Sequence, residues 1–192
     1  MSKTISVIYG SVRSERKGIN AARFFEKQLK SRGYQVHLID PLVYKFPLLE
    51  KMYKVYEEGT ALEVLENVHH LLAESDGFII VSGEYNHSIP PALKNILDHY
   101  QTEYFFKPSG IVTYSAGNFG GVRAGVQLRA VCGELGMPSI SSMFPIPTID
   151  KAFDEDGNAL DSAYEKRVEK FLNEFDWYVD ALKTKRQSGT PY

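Results

Sequence analysis

The run Ile5-Ser6-Val7-Ile8-Tyr9-Gly10-Ser11-Val12-Arg13-Ser14-Glu15-Arg16-Lys17-Gly18-Ile19-Asn20 decides the fold. Ile5 to Tyr9 is short, apolar and rich in β-branched side chains, the composition of a strand buried on both faces of a sheet. Beyond Asn20, the residues Ala22, Phe25 and Leu29 recur at helical spacing with charges between them, which predicts an amphipathic helix. Strand, glycine-bearing loop and helix in that order open a βαβ unit, and the unit repeats. Further apolar runs at Val36 to Ile39, Gly77 to Ser82, Gly110 to Tyr114 and Ser139 to Met143 predict four more strands. Helical spacing returns at Ala61, Leu65, Val68 and Leu72, and along Leu160, Tyr164, Val168, Phe171, Phe175, Val179 and Leu182. The alternation predicts an α/β three-layer sandwich: parallel strands, right-handed crossovers, and helices on both faces.

A chain of 192 residues, 43% hydrophobic, is long enough for one packed core and cramped for two. It reads as a single domain over 1–192, with polar Thr184 to Tyr192 as a frayed tail. The stretch Asp40 to Gly59 is irregular, and its Pro41, Tyr44, Phe46, Pro47, Tyr53 and Tyr56 suit a loop that shapes a pocket or a partner surface. Basic and acidic residues are scattered and sum to a net charge of -2, so no basic stripe exists for nucleic acid. Cys132 is the single cysteine, which excludes an intramolecular disulfide and a thiolate-rich metal site and predicts a reducing, cytoplasmic setting. The first residues lack the apolar stretch of a leader, and no segment approaches the roughly 20 apolar residues that span a bilayer, so neither secretion nor a membrane partner is expected.

In an open parallel sheet, ligands collect at the carboxyl ends of strands. Three loops leave such ends. The first, Gly10 to Asn20, combines glycines, the hydroxyls of Ser11 and Ser14, the guanidinium groups of Arg13 and Arg16, and the positive end of a following helix, all of which suit a phosphate. An ordinary βα loop with two solvated arginines is the alternative. Neither G-x-G-x-x-G nor G-x-x-x-x-G-K-[ST] is present, which argues against dinucleotide and nucleoside-triphosphate loops. Asp40, at the end of the second strand, then reads as a turn residue before Pro41. The second loop, Ser82 to Pro91, runs into a helix whose first turn can hold a proline. Its Tyr85 can stack on a flat ring, or can pack on the loop while Asn86 closes a turn. The third, Ser115 to Gly121, carries three glycines that allow close backbone approach.

Together these loops resemble the NADPH-dependent FMN reductase family of quinone, azo-dye and chromate reductases. The family's G-S-x-R-x-x-R-x-G corresponds to Gly10, Ser11, Arg13, Arg16 and Gly18. Its P-E-Y-N-x-x-x-P-x-x-L-K-N-x-x-D corresponds to Glu84, Tyr85, Asn86, Pro90, Leu93, Lys94, Asn95 and Asp98. Gly83 departs from that pattern, standing where the family usually has proline, and predicts a looser second loop. The likeness runs from about Lys3 to Met143. It implies a flavodoxin-like five-stranded parallel sheet in the order 2-1-3-4-5 and a homodimer or homotetramer, with Ala92 to Tyr100 and Thr102 to Phe106 as candidate interface segments.

The resemblance also implies FMN as cofactor, tightly bound or exchangeable, and NADPH or NADH as reductant. It assigns Ser11, Arg13, Arg16, Gly18, Ile19 and Asn20 to the phosphate, and Glu84, Tyr85, Asn86, Ser115, Gly117 and Gly120 to the ring and its edge. The flavin carries the chemistry, so no catalytic side chain is expected. Quinones, free flavins or similar small acceptors would be reduced by two electrons in ping-pong order, at a rim formed by Tyr85, His87, Phe119 and the Tyr44 to Tyr56 loop. A flavodoxin-like carrier or redox-sensing protein with little turnover is the second reading; the mild net charge lacks the acidic docking face of a carrier. A metal-dependent hydrolase is disfavoured: His69, His70, His87 and His99 form no ligand pattern, and no metal is expected. Cys132 reads as a small core residue.

Overall fold

A computed structural model describes residues 3–192; Met1 and Ser2, part of the single-domain reading, lie outside the described residues. Five strands, β1 (Thr4–Tyr9), β2 (Gln35–Ile39), β3 (Gly77–Gly83), β4 (Ser109–Tyr114) and β5 (Ser139–Ile146), form one parallel sheet in the order β2-β1-β3-β4-β5. This is the flavodoxin-like order expected above. The helices are α1 (Gly18–Ser31), α2 (Glu63–Glu74), α3 (Pro91–His99), α4 (Val122–Glu134) and α5 (Ser162–Arg186).

Two apolar clusters cover the two faces of the sheet. Phe24 and Phe25 of α1 and Phe171, Phe175 and Val179 of α5 pack against Val7, Ile79 and Phe144 on one face. Val68 and Leu72 of α2, Ile96 and Leu97 of α3, and Leu128 and Cys132 of α4 pack against Ile8, Phe78 and Ile80 on the other. Because α1, which follows β1, and α3, which follows β3, lie on opposite faces, the connections leaving β1 and β3 diverge. A crevice therefore opens at the carboxyl ends of those strands.

Three boundaries differ from the sequence reading, each for a physical reason. β5 continues three residues past Met143; Ser141, Ser142 and Pro145 interrupt its apolar run, which an edge strand tolerates because one row of its backbone groups needs no strand partner. Leu160 is exposed and precedes α5, whose N-cap is Asp161, with a side chain that accepts a bond from the Ala163 amide at 2.8 Å. α5 also runs to Arg186, beyond the point expected to fray, because Arg186 donates to Asp76 and to the Phe106 carbonyl. Of the candidate interface segments, Leu93, Ile96, Leu97, Tyr100 and Tyr104 are spent on the chain's own core. Phe105 and Phe106 pack on Tyr192.

The Asp40 to Gly59 stretch docks on α2 and α3. Tyr44, Phe46 and Tyr53 join the second cluster, the Tyr53 hydroxyl donates to Glu66 at 2.6 Å, and the Asn95 side chain bonds both the Pro47 carbonyl and the Leu49 amide. Asn95, part of the family-like motif, is thus a clamp for that loop.

Buried phenols give the fold an alkaline limit. Burial raises the pKa of Tyr34, Tyr100 and Tyr114, and burial together with Glu66 pushes Tyr53 up to about 12. Above about pH 10 the unfolded chain releases protons that the folded chain keeps, so stability present below that pH is lost as pH rises. Lys107, pushed down to about 8 by burial, has the opposite sign, and its contribution grows from there toward about pH 10.4. The urea midpoint should therefore hold to about pH 10 and fall beyond it, with the phenolate absorbance of these buried tyrosines appearing together with loss of the helical signal. Full phenolate absorbance from an intact fold near that pH would contradict this.

Candidate active site

The crevice holds a cavity of about 330 Å³ lined by residues of all three strand-end loops. The first loop contributes Ser11, Arg13, Glu15, Arg16, Lys17 and Gly18; the ends of β3 and β4 and the loops after them contribute Gly83, Glu84, Tyr85, Tyr114, Ser115 and Ala116, and Ile149 and Asp150 complete the lining. No group of three or more His, Cys, Asp or Glu side chains able to hold a metal exists among the described residues. Cys132 is buried away from the cavity, and burial pushes its thiol up to about 11, which fits a core residue.

The first loop is braced from below. Gly10 donates to the Val81 carbonyl at 3.1 Å, and a Cβ on Gly10 would lie 2.6 Å from that of Leu93, so this glycine serves packing against α3. The buried Ser11 hydroxyl lies 2.8 Å from the Tyr85 hydroxyl, joining the first loop to the second. Arg13 is exposed, with its guanidinium 5.8 Å from the Tyr85 ring centroid. Arg16 also borders the cavity, but its guanidinium is committed within the protein. It forms a fork with Asp40, donates to the Ser11 carbonyl at 3.2 Å, and lies over the Tyr9 ring. Asp40 also accepts from the Leu42 amide, so it is both the turn residue expected above and the partner of Arg16. Ile19 and Asn20 line an adjoining cavity with Ser14, Arg23 and Glu155, which shares Glu15, Arg16 and Lys17 with the first, and their amides already donate to the carbonyls of Arg16 and Lys17. α1 begins without a side-chain cap, which leaves the positive end of the helix facing the cavity at Gly18.

The second loop is held by α4. Glu84 accepts from the Arg123 amide at 3.0 Å, the Ala124 amide at 3.4 Å and the Arg123 guanidinium at 3.3 Å, so it caps that helix. Gln127 adds bonds to the His87 carbonyl and the Ser88 hydroxyl. Asn86 and His87, at φ 51° and 64°, are the central residues of a tight turn closed by reciprocal 3.0 Å bonds between Tyr85 and Ser88. Asn86 thus closes a turn and does not line the cavity.

In the third loop only Ser115 and Ala116 reach the cavity. The Ser115 hydroxyl donates to the Gly117 carbonyl, and its backbone bonds Ile146 and Ile149. Gly120, at φ 62°, packs against the backbone of Ile146, while Gly117 faces open space. Phe119 is exposed beneath the Arg123 guanidinium. Glu15, Lys17, Gly83, Tyr114, Ala116, Ile149 and Asp150 line the cavity without having been among the expected site residues. Tyr114 carried a usable signal, as the last residue of a strand at the ligand-bearing edge of the sheet; Ile149 and Asp150 arrive through the path of the chain after β5 and carried none.

A model of the NADPH-dependent FMN reductase family matches residues 4–151. The chain is 27% identical to a 2-hydroxy-1,4-benzoquinone reductase of Burkholderia sp over 93% of this chain and 97% of that protein. It is 30% identical to an NADPH:quinone oxidoreductase of Arabidopsis thaliana over 73% and 72%, respectively. Among solved structures it resembles a flavoenzyme NAD(P)H:(acceptor) oxidoreductase from Paracoccus denitrificans, with a TM-score of 0.74, 23% identity, and coverage of 95% of this chain and 98% of that one.

Proposed function

Because the chain belongs to the NADPH-dependent FMN reductase family, we propose that it holds FMN in the cavity between its three strand-end loops and reduces quinones, free flavins or similar small acceptors in ping-pong order. It is an FMN-dependent NAD(P)H oxidoreductase. One observation carries the assignment of the cavity: Gly18 at the uncapped start of α1, Ser11 with its hydroxyl bonded to that of Tyr85, Arg13 and Ser115 all line a single space. That donor set suits a phosphate at one end, and the second and third loops offer a ring a stacking surface and hydroxyl donors at the other.

Bound FMN supplies the acceptance of hydride from NADPH or NADH and the delivery of two electrons to the acceptor. The side chains divide the remaining work. Ser11, Arg13 and Lys17 hold the phosphate, and Arg16 supports Ser11 from beneath. Tyr85 and Ser115 flank the ring, and Glu84 fixes the second loop to α4. The enzyme works as a homodimer or homotetramer, with the outward side of α3 and exposed Leu48 beside its Asn95 clamp as the contact. No helix among the described residues is long and apolar enough to cross a membrane, and the single, buried cysteine suits a reducing cytoplasm.

The test is anaerobic addition of NADPH and NADH to protein reconstituted with FMN, which should bleach the flavin absorption bands. Arg13→Ala should weaken FMN retention about 10- to 100-fold, the loss of a charge-assisted pair, with little change in stability because Arg13 is exposed. A protein that takes up no FMN would overturn the reading.

A further inference from the structure

Tyr114 ends β4 with its ring inserted between two loops. A Cβ on Gly18 would lie 2.1 Å from Cζ of the ring, and one on Gly83 would lie 3.1 Å from the same atom. Both glycines therefore give way to the phenol, one at the start of α1 and the other at the end of β3. The ring is stacked on Tyr9 at 6.3 Å, and its hydroxyl donates to that of Tyr9 at 3.3 Å. Tyr9 in turn carries the Arg16 guanidinium over its face, so the brace under the first loop and the wedge between the loops are one packed unit.

Gly83 stands where a proline would stiffen the second loop; at the tip of the loops the Ser11–Tyr85 bond ties them together, and at their base the Tyr114 ring is what fills the gap. The planar, buried ring restores a fixed spacing, because closing the gap would need interpenetration with Gly18 and opening it would leave a void beside Gly83. From this geometry we propose that Tyr114 is a positioning residue that sets the distance between the phosphate loop and the ring-edge loop, and so makes the site select flavin mononucleotide over unphosphorylated riboflavin. The inference rests on the FMN reading above. A ligand with a phosphate must satisfy both loops at once and is sensitive to their spacing. One without a phosphate engages only the second and third loops and is not.

The test measures the Kd of FMN and of riboflavin, by quenching of flavin fluorescence, for the wild type, Tyr114→Phe, Tyr114→Leu and Gly83→Ala. Tyr114→Phe keeps the wedge and should leave the ratio of the two affinities unchanged. Tyr114→Leu removes the wedge and should lower FMN affinity about tenfold or more relative to riboflavin. Gly83→Ala pushes the ring by a few tenths of an ångström and should shift the ratio the same way by about threefold; it keeps the inference testable if Tyr114→Leu fails to fold. Equal weakening of both ligands, or an unchanged ratio in Tyr114→Leu and Gly83→Ala, would overturn the role of Tyr114 while leaving the flavin reading intact. A wild-type protein that binds neither flavin would overturn both.

Discussion

Asp40→Ala is expected to destabilise the flavin-free protein by about 3 kcal/mol, the low end of the range for breaking a buried ion pair. The side chains of Asp40 and Arg16 are only 9% and 16% exposed, and one arm of their fork, from Nη2 to Oδ2, measures 2.7 Å. Removing the carboxylate leaves a guanidinium confined between the Tyr9 ring and the Ser11 carbonyl, and it also strips the Leu42 amide of its acceptor. The remaining exposure of Arg16 lets water recover part of the loss, which is why the estimate sits at the low end. The double variant Asp40→Leu with Arg16→Met should regain much of the stability, because a hydrophobic pair of similar volume replaces both charges and leaves neither stranded. Urea unfolding of the single and double variants checks this. A single variant as stable as the wild type would show that the pair contributes nothing.

The architecture was legible because the sheet is buried on both faces. β1, β3 and β4 are buried along their whole lengths and mostly apolar, and such runs stand out against the amphipathic helices between them. β5, at the edge, blurred because its two central serines and Pro145 bond polar side chains of α5, Glu174 and Arg167, rather than serving the core. At the site, the loops were legible and the division of labour within them was not. Arg13 and Arg16 are alike in sequence; only the placement of Asp40, 24 residues away in the chain, separates an exposed cation from a brace. Glycines were the least legible. Gly10 and Gly18 looked like places where a ligand comes close, yet each makes room for a side chain of the protein itself, Leu93 and Tyr114. A glycine in a strand-end loop announces a close approach without saying what approaches.

The third loop offers the sharpest test of that distinction, since its glycines differ in what limits them. Gly121, at φ 75°, is the N-cap residue of α4, and a Cβ there would lie 2.7 Å from the Tyr114 carbonyl oxygen. Gly121→Ala incurs the left-handed penalty of about 1–2 kcal/mol and a clash with backbone that cannot rotate away, so a loss of about 3 kcal/mol is expected. The damage should extend to the second loop, because displacing the first turn of α4 moves the Arg123 and Ala124 amides away from Glu84. Gly117 has no such limits: its φ is not positive, and a Cβ would meet nothing within 4 Å. Gly117→Ala should change stability by less than about 0.5 kcal/mol, as surface substitutions do. Thermal unfolding without flavin, followed by FMN titration, separates the two effects. A stable Gly117→Ala protein that binds FMN poorly would mean that the open space beside Gly117 belongs to the ligand, and one that binds normally would confine the third loop's contribution to Ser115 and Ala116.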